Sequence, residues 1–138
     1  MLTKELARDR SRVGAAFFDK AFPSWPLCIE TETLSIAHSD ACMLGQMCGT
    51  FDNGQRYFHI PEERAVEFGL LVNGPPCAEK TADYQLLTEV WRELTIARQR
   101  EAGPALAKSD VKPPIRCRRV TEIATGAIFS LLYLLFIW

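Results

Sequence analysis

Residues 39–54, S-D-A-C-M-L-G-Q-M-C-G-T-F-D-N-G, decide how the rest of this chain is organised. A helix-start signal, Ser39 or Asp40, precedes two cysteines, three glycines and a turn signal. The pattern predicts a short helix over about 41–50 and a turn at D-N-G, residues 52–54. We expect this short helix to be the packed centre of the domain, because the apolar segments on both sides need a surface to cover them.

The segment before the central stretch predicts one long helix and an irregular connection. Thr3 can cap the helix, and Leu6, Val13 and Phe17 are spaced to form its buried stripe. Pro23 ends the helix, because the residue before a proline avoids helical backbone angles. Leu27 and Ile29, and then Leu34 and Ile36, are spaced by two, which predicts an irregular extended segment over residues 23–38.

Two further helices are predicted after the central stretch. Pro61 suits the first turn of one helix, and Gly69 suits its end. The longest helix is expected over about 81–101, with an apolar stripe that includes Trp91, and Gly103 followed by Pro104 should end it. The chain is therefore predicted to be all-α, with a small four-helix domain at residues 1–102, an irregular extended segment within it, and a C-terminal apolar helix.

Six residues are predicted to build the structural hub of this domain. The cysteine, the leucine and the tryptophans should be buried, and the two glycines should permit close helix approach. These residues are Trp25, Cys42, Leu44, Gly45, Gly49 and Trp91.

Charge is divided unevenly along the chain. Residues 1–104 contain 11 basic and 15 acidic side chains, and residues 105–119 contain five basic and one acidic. A nucleic-acid binder would carry its basic patch on the folded surface, so this mildly acidic domain is a poor fit to that class. DNA binding through residues 112–119 is a third hypothesis, but a basic segment beside a membrane explains the same charges.

Residues 103–119 have the composition of a basic linker, and residues 120–138 form an apolar tail. No charged side chain occurs in residues 123–138, which as a helix would be ~24 Å long against a bilayer core of ~30 Å. Arg116, Arg118 and Arg119 would form a membrane collar on the cytoplasmic side. The tail is thus predicted to be a membrane anchor. The alternatives are burial in the domain, which would leave a cytoplasmic protein, or a homo-oligomer formed through the tail.

The cysteines predict a reduced, cytosolic domain. Their number is odd, and the N-terminus lacks the apolar core of a signal peptide. We therefore interpret all five as reduced thiols rather than as a disulfide framework. They are Cys28, Cys42, Cys48, Cys77 and Cys117.

A metal- or thiol-dependent site is the alternative to a purely structural centre. His38, Cys42, Cys48 and His59 fall within 22 residues. Structural zinc sites usually pair their ligands two to four residues apart, whereas these residues are separated by three, five and ten others. A catalytic cysteine needs a base beside its thiolate, and the spacing places neither histidine there. We therefore expect no metal and no cofactor, and keep these four residues as weak candidates.

The chain resembles small uncharacterised proteins of actinobacteria and their phages, in which a central C-V-L-G-Q-x-x-G-like motif follows an I-D-x-x-T-L-like segment. The matching residues here are I-E-T-E-T-L at 29–34, C-M-L-G-Q at 42–46 with Gly49, and later Leu87 and Trp91. Pro26, Cys48 and the apolar tail depart from that pattern. The resemblance implies kinship and a phage or prophage source, and no activity.

From these patterns we predict a non-enzymatic protein–protein interaction or regulatory protein. It would act on an unidentified partner protein and be held by its tail at the cytoplasmic side of the cell membrane. No nucleic acid is expected as a partner.

Overall fold

The computed structural model describes residues 1–74 and 78–106, which form helices and connecting turns without a strand. The prediction of an all-α protein is confirmed for these residues. Their helices are α1 (Lys4–Ala21), α2 (Trp25–Cys28), α3 (Met43–Cys48), α4 (Phe51–Phe58), α5 (Glu62–Glu67) and α6 (Ala78–Leu106). Four of these correspond to predicted helices, and α2 and α4 are additional. The predicted C-terminal apolar helix lies outside the described residues.

Helices α1 and α6 run side by side in the same direction. The backbone N–H of Leu2, before α1, donates to Asp83 Oδ1 near the start of α6 at 3.0 Å. At the other end, Asp19 pairs with Arg98 at 3.0 Å. The pairing is therefore parallel, and residues 78–106 run past the end of α1.

The face of α1 that is buried differs from the predicted one. The buried side chains are mostly small: Ala7, Ser11, Gly14, Ala15 and Phe18. Leu6 and Val13 were expected in the core, yet they are 41% and 51% exposed, so this part of the prediction is wrong. Small residues occupy this face because it packs against backbone and a large aromatic ring. A Cβ on Gly14 would overlap the carbonyl oxygen of Phe68 and lie 2.9 Å from Trp91 Cζ2.

Residues 29–42 make an irregular connection that side chains from other elements hold in place. Arg92 donates from Nε to the carbonyl oxygen of Thr31 at 2.9 Å and from Nη2 to that of Leu34 at 3.4 Å. Gln46 of α3 donates to the carbonyl oxygen of Glu30 at 3.2 Å and accepts from its N–H. In this connection, side chains supply hydrogen bonds to backbone groups that in a helix would bond to one another.

Helices α3 and α4, which both begin within residues 39–54, form a tightly packed pair. Gly49 ends α3 with a positive φ of 98°, and Thr50 caps α4 by accepting from the N–H of Asn53 at 3.1 Å. The turn predicted at residues 52–54 is wrong, because these residues lie in the first turn of α4. A Cβ on Gly54 would overlap Leu44, so Gly54, rather than Gly49, permits the close approach of the two helices.

The core is one aromatic and aliphatic cluster between α1, α6 and the α3–α4 pair. Trp25 and Trp91 are fully buried and meet edge to face, with ring centroids 6.1 Å apart. Phe18 contacts both rings. Trp25 Nε1 donates to Asp19 at 2.9 Å and Trp91 Nε1 donates to the carbonyl oxygen of Gly69 at 2.8 Å, so neither indole N–H is left unpaired.

Candidate functional site

Cys42, one of the candidate nucleophiles, is a helix cap. It is the N-cap of α3, its Sγ accepts from the N–H of Gly45 at 3.3 Å, and its thiol donates to the carbonyl oxygen of Ser39 at 3.5 Å. Burial raises the pKa of the Cys42 thiol, and the hydrogen bond from Gly45, the largest opposing cause, lowers it by less. A thiol that donates and accepts in this way is held in its protonated, weakly nucleophilic form.

Cys48 lies at the other end of α3 and is equally unsuited to nucleophilic chemistry. It is only 7% exposed. Burial, with a smaller effect from Cys42, raises the pKa of its thiol to about 11. Cys42 and Cys48 are both free thiols. Near neutral pH, the thiolate that a nucleophile or a metal ligand needs is therefore strongly disfavoured at both.

Cys28 corrects the interpretation of the cysteines. It is disulfide-bonded, so the prediction that all five cysteines are reduced is wrong at this position. Cys77 and Cys117 lie outside the described residues.

The two histidines lie in separate turns. His38 Nδ1 lies 2.7 Å from Ser35 Oγ within an exposed turn. His59 ends α4 in the left-handed region, with φ 54° and ψ 48°, and its side chain is exposed. The Ser35–His38 contact has the distance of a nucleophile and its base, but it joins residues three apart in one turn. It is a turn-stabilising hydrogen bond of the kind that serine makes in loops.

No three histidine, cysteine or acidic side chains within the described part of the chain are placed to hold a metal ion together. His38, Cys42, Cys48 and His59 all belong to that part. The structure therefore does not assemble them into a metal centre.

The predicted hub residues are packed as the sequence indicated, except at the two glycines. Trp25, Leu44 and Trp91 are fully buried and Cys42 is 2% exposed, so their predicted burial is confirmed. Gly45 does permit a close approach, but to a loop: a Cβ there would overlap the carbonyl oxygen of Ser39. Apart from the half-buried Gly49, these residues are buried in the packed core.

A surface depression of about 460 Å³ lies beside α4. Its lining residues are Asp52, Gln55, Arg56, His59, Ile60 and Pro61. One acidic side chain, Asp52, and one basic side chain, Arg56, line it, and its polar side chains are exposed or half-buried. Such a lining does not select a ligand of one charge.

Two of the exposed large apolar side chains in the described residues, Leu6 and Val13, lie on one face of α1. We define the α1 strip as Leu6, Val13 and Phe17, whose spacings of seven and four residues place them on one helical face. Leu6 and Val13 are exposed, and Phe17 is half-buried against Phe68 with ring centroids 4.9 Å apart. The sequence contains the signal, since three of the four large apolar residues of α1 are spaced along one face, but the same spacing also predicts a core face.

The predicted membrane collar, Arg116, Arg118 and Arg119, lies outside the described residues, as does the apolar tail. Within residues 1–74 and 78–106, the helices are too short or too polar to cross a membrane.

Comparison with known proteins adds no assignment: no protein-family model, no curated protein and no solved structure matches this chain.

Proposed function

We propose that this is a non-enzymatic interaction or regulatory protein, held at the cytoplasmic side of the membrane through residues 120–138. The observation that carries the proposal is the contrast between its buried thiols and its exposed apolar side chains. The thiols are protonated caps and core residues, whereas large apolar side chains of the α1 strip face solvent. Exposed apolar strips are typical of contact surfaces.

Membrane attachment is supported by the sequence of the tail. Residues 123–138 carry no charge, and Arg116, Arg118 and Arg119 precede them. Basic residues beside an apolar segment favour the cytoplasmic side of a bilayer. The cytoplasmic side is proposed on this ground alone, because the disulfide at Cys28 removes the argument from reduced cysteines. The resemblance to proteins of actinobacteria and their phages favours a phage-encoded protein that acts on a host partner.

Co-sedimentation with vesicles tests the attachment. The full chain is expected to sediment with vesicles of phosphatidylcholine and phosphatidylglycerol, and a 1–106 truncation should stay in the supernatant with a helical circular dichroism spectrum. A folded full chain that does not sediment would contradict the proposal. So would an unfolded truncation, because the tail would then belong to the core.

Capture of the partner tests the interaction surface. The full chain and a Val13→Glu variant, each bound to vesicles of phosphatidylcholine and phosphatidylglycerol, would be cross-linked in extracts of the native cytoplasm. Ala16→Glu is the matched control, since Ala16 is also exposed on α1 but lies outside the strip. A specific partner should be lost with Val13→Glu and retained with Ala16→Glu; equal capture by both variants would exclude the strip as the contact surface.

A further inference from the structure

We infer that, away from a membrane, residues 123–138 of this same chain cover the α1 strip, and that transfer of the segment to a bilayer uncovers it. The occupant is therefore the apolar tail rather than a second molecule. The release step rests on the proposed membrane attachment, whereas the docking step does not.

The strip needs a cover because the fold supplies none within the described residues. The opposite face of α1 is occupied by α6 and by the backbone around Phe68. Val13 at the middle of the strip is 51% exposed, more than Leu6. The Phe17 end of the strip already belongs to an aromatic cluster, since Phe17 packs against Phe58 and Phe68. An apolar segment laid along Leu6 and Val13 would extend this aromatic cluster.

The parallel arrangement of α1 and α6 brings the tail to the correct end of the strip. Asp19 and Arg98 pair near the end of α1, two residues from Phe17. The eight residues from Arg98 to Leu106 advance the chain by ~12 Å. Residues 107–122 reach at most ~50 Å when extended, which is more than enough to return to Phe17.

The lengths also match. From Leu6 to Phe17 the strip is ~17 Å long, and residues 123–138 would span ~24 Å as a helix. A single pass of the tail would cover the whole strip.

Charge favours the same placement. Helix α5 packs beside α1, and the exposed Glu67 at its end directly precedes Phe68, whose ring stacks on Phe17. Arg116, Arg118 and Arg119 directly precede the apolar tail. A tail that enters at the Phe17 end would bring its basic residues towards the carboxylates of Glu67 and Asp19, which also pair with Arg64 and Arg98.

One segment cannot occupy the strip and a bilayer together, so the two sites compete for it. In a membrane-free solution the strip would be shielded from partners. Insertion of the tail would expose it at the membrane surface, so partner binding would depend on attachment.

Photo-cross-linking in the full chain tests the docking. p-Benzoylphenylalanine would replace Val13, and Arg8 in the control, which is exposed on α1 away from the strip. Without vesicles, the probe at position 13 should give adducts of monomer mass that contain peptides from residues 120–138, and the probe at position 8 should not. Adding phosphatidylcholine–phosphatidylglycerol vesicles should remove these adducts.

Several outcomes would overturn the inference. Equal tail adducts at positions 8 and 13, or none at either, would show that the tail does not dock on the strip. Adducts of dimer mass would make a second copy the occupant. Tail adducts that persist unchanged on sedimented vesicles would refute the release step. Tail adducts in a chain that never sediments would refute the proposed attachment while the docking stands.

Lipid titration measures the competition independently. If about nine-tenths of the molecules are docked, Val13→Glu should lower the lipid concentration for half-binding about tenfold, because the competing site is lost. Ala16→Glu adds the same charge outside the strip and should leave this concentration unchanged relative to the wild type. Identical half-binding concentrations for the two variants would contradict docking at Val13.

Discussion

Thr95 buries a hydroxyl without a hydrogen-bond partner. The residue is fully buried in α6, and its Oγ1 is unpaired. Thr95→Val keeps the shape and removes the unpaired group, so it should raise the free energy of unfolding by about 1 kcal/mol. Urea denaturation followed by circular dichroism would measure this.

Thr88 is the matched control, two turns earlier on the same helix. Its hydroxyl accepts from the N–H of Ile36 at 3.0 Å and donates to the carbonyl oxygen of Tyr84 at 2.8 Å. Thr88→Val should therefore destabilise by about 1 kcal/mol, since it leaves the N–H of Ile36 unpaired. Loss of stability in both variants would mean that the hydroxyl of Thr95 has a partner in solution.

Cys48 makes stability depend on alkaline pH. Its thiol has a pKa of about 11 in the fold against an ordinary value of 9.0, because burial disfavours the thiolate. The folded state therefore holds this proton more tightly than the unfolded state. The stabilising contribution is complete below pH 9 and is lost as pH rises towards 11, at about 1.4 kcal/mol per pH unit.

Urea midpoints measured between pH 8 and pH 10.5 would test this slope. Cys48→Ala is the control, because lysines and tyrosines also titrate there and are common to both proteins. The wild type should lose about 2 kcal/mol more than the variant over this range. Parallel curves for the two proteins would show that the thiol is not desolvated.

For single residues, the sequence predicted which side chains are buried better than it predicted which hydrogen bonds or disulfides they make. Leu44 could be placed in the core because it shares a short apolar face with Met47 and Cys48, and Cys42 because it lies at the edge of that face. That Cys42 caps α3 could not be predicted, because serine, threonine, aspartate and asparagine are the usual caps and a thiol is a weak hydrogen-bonding group. The disulfide at Cys28 was missed because the cysteine count and the missing signal peptide pointed to reduced thiols.

Among the elements, the connection at residues 29–42 is held by three side chains of α6, of which Arg92 makes two hydrogen bonds and Thr88 and Gln99 one each. Arg92→Ala removes the donors to the carbonyl oxygens of Thr31 and Leu34. We expect a loss of about 1–2 kcal/mol and faster hydrogen exchange within residues 29–42, with little change in α1. Mass-spectrometric hydrogen exchange would locate the effect.

Arg100→Ala is the control for Arg92, since Arg100 lies on the same helix and is exposed. It should leave the exchange of residues 29–42 unchanged. Uniformly faster exchange over the whole Arg92→Ala protein would show instead that this arginine supports the entire fold.

Two elements show where periodicity misleads. In α1 the large apolar residues were assigned to the core, but the core face is made of small residues that admit Trp91 and the backbone of Phe68. In α4 the D-N-G signal was interpreted as a turn. The cap at Thr50 and the contact between Gly54 and Leu44 hold these residues in a helix instead. Both errors arise because tertiary contacts override local preference.

On the scale of the whole molecule, Gly14 lies where α1 packs against Trp91 of α6 and the backbone of Phe68. By helix propensity alone, Gly14→Ala should stabilise α1 by about 1 kcal/mol. Its Cβ would overlap the carbonyl oxygen of Phe68, so we expect a net loss of about 3 kcal/mol. Thermal denaturation would measure it.

The Ala16→Gly variant measures the effect of helix propensity on stability without a change in packing. Ala16 lies in the same helix and is exposed, so this variant should lose about 1 kcal/mol. A Gly14→Ala protein that is more stable than the wild type would show that α1 and α6 are not in close contact at this point.

The parallel pairing of α1 and α6 also sets an order on folding during synthesis. Asp19 and its partner Arg98 are 79 residues apart in the chain, so α1 is made long before the helix that covers it. At ~5–20 residues per second, the nascent helix waits roughly 4–16 s for its partner. During this interval both its small-residue face and its apolar strip are uncovered, which makes the nascent chain a natural client of ribosome-associated chaperones.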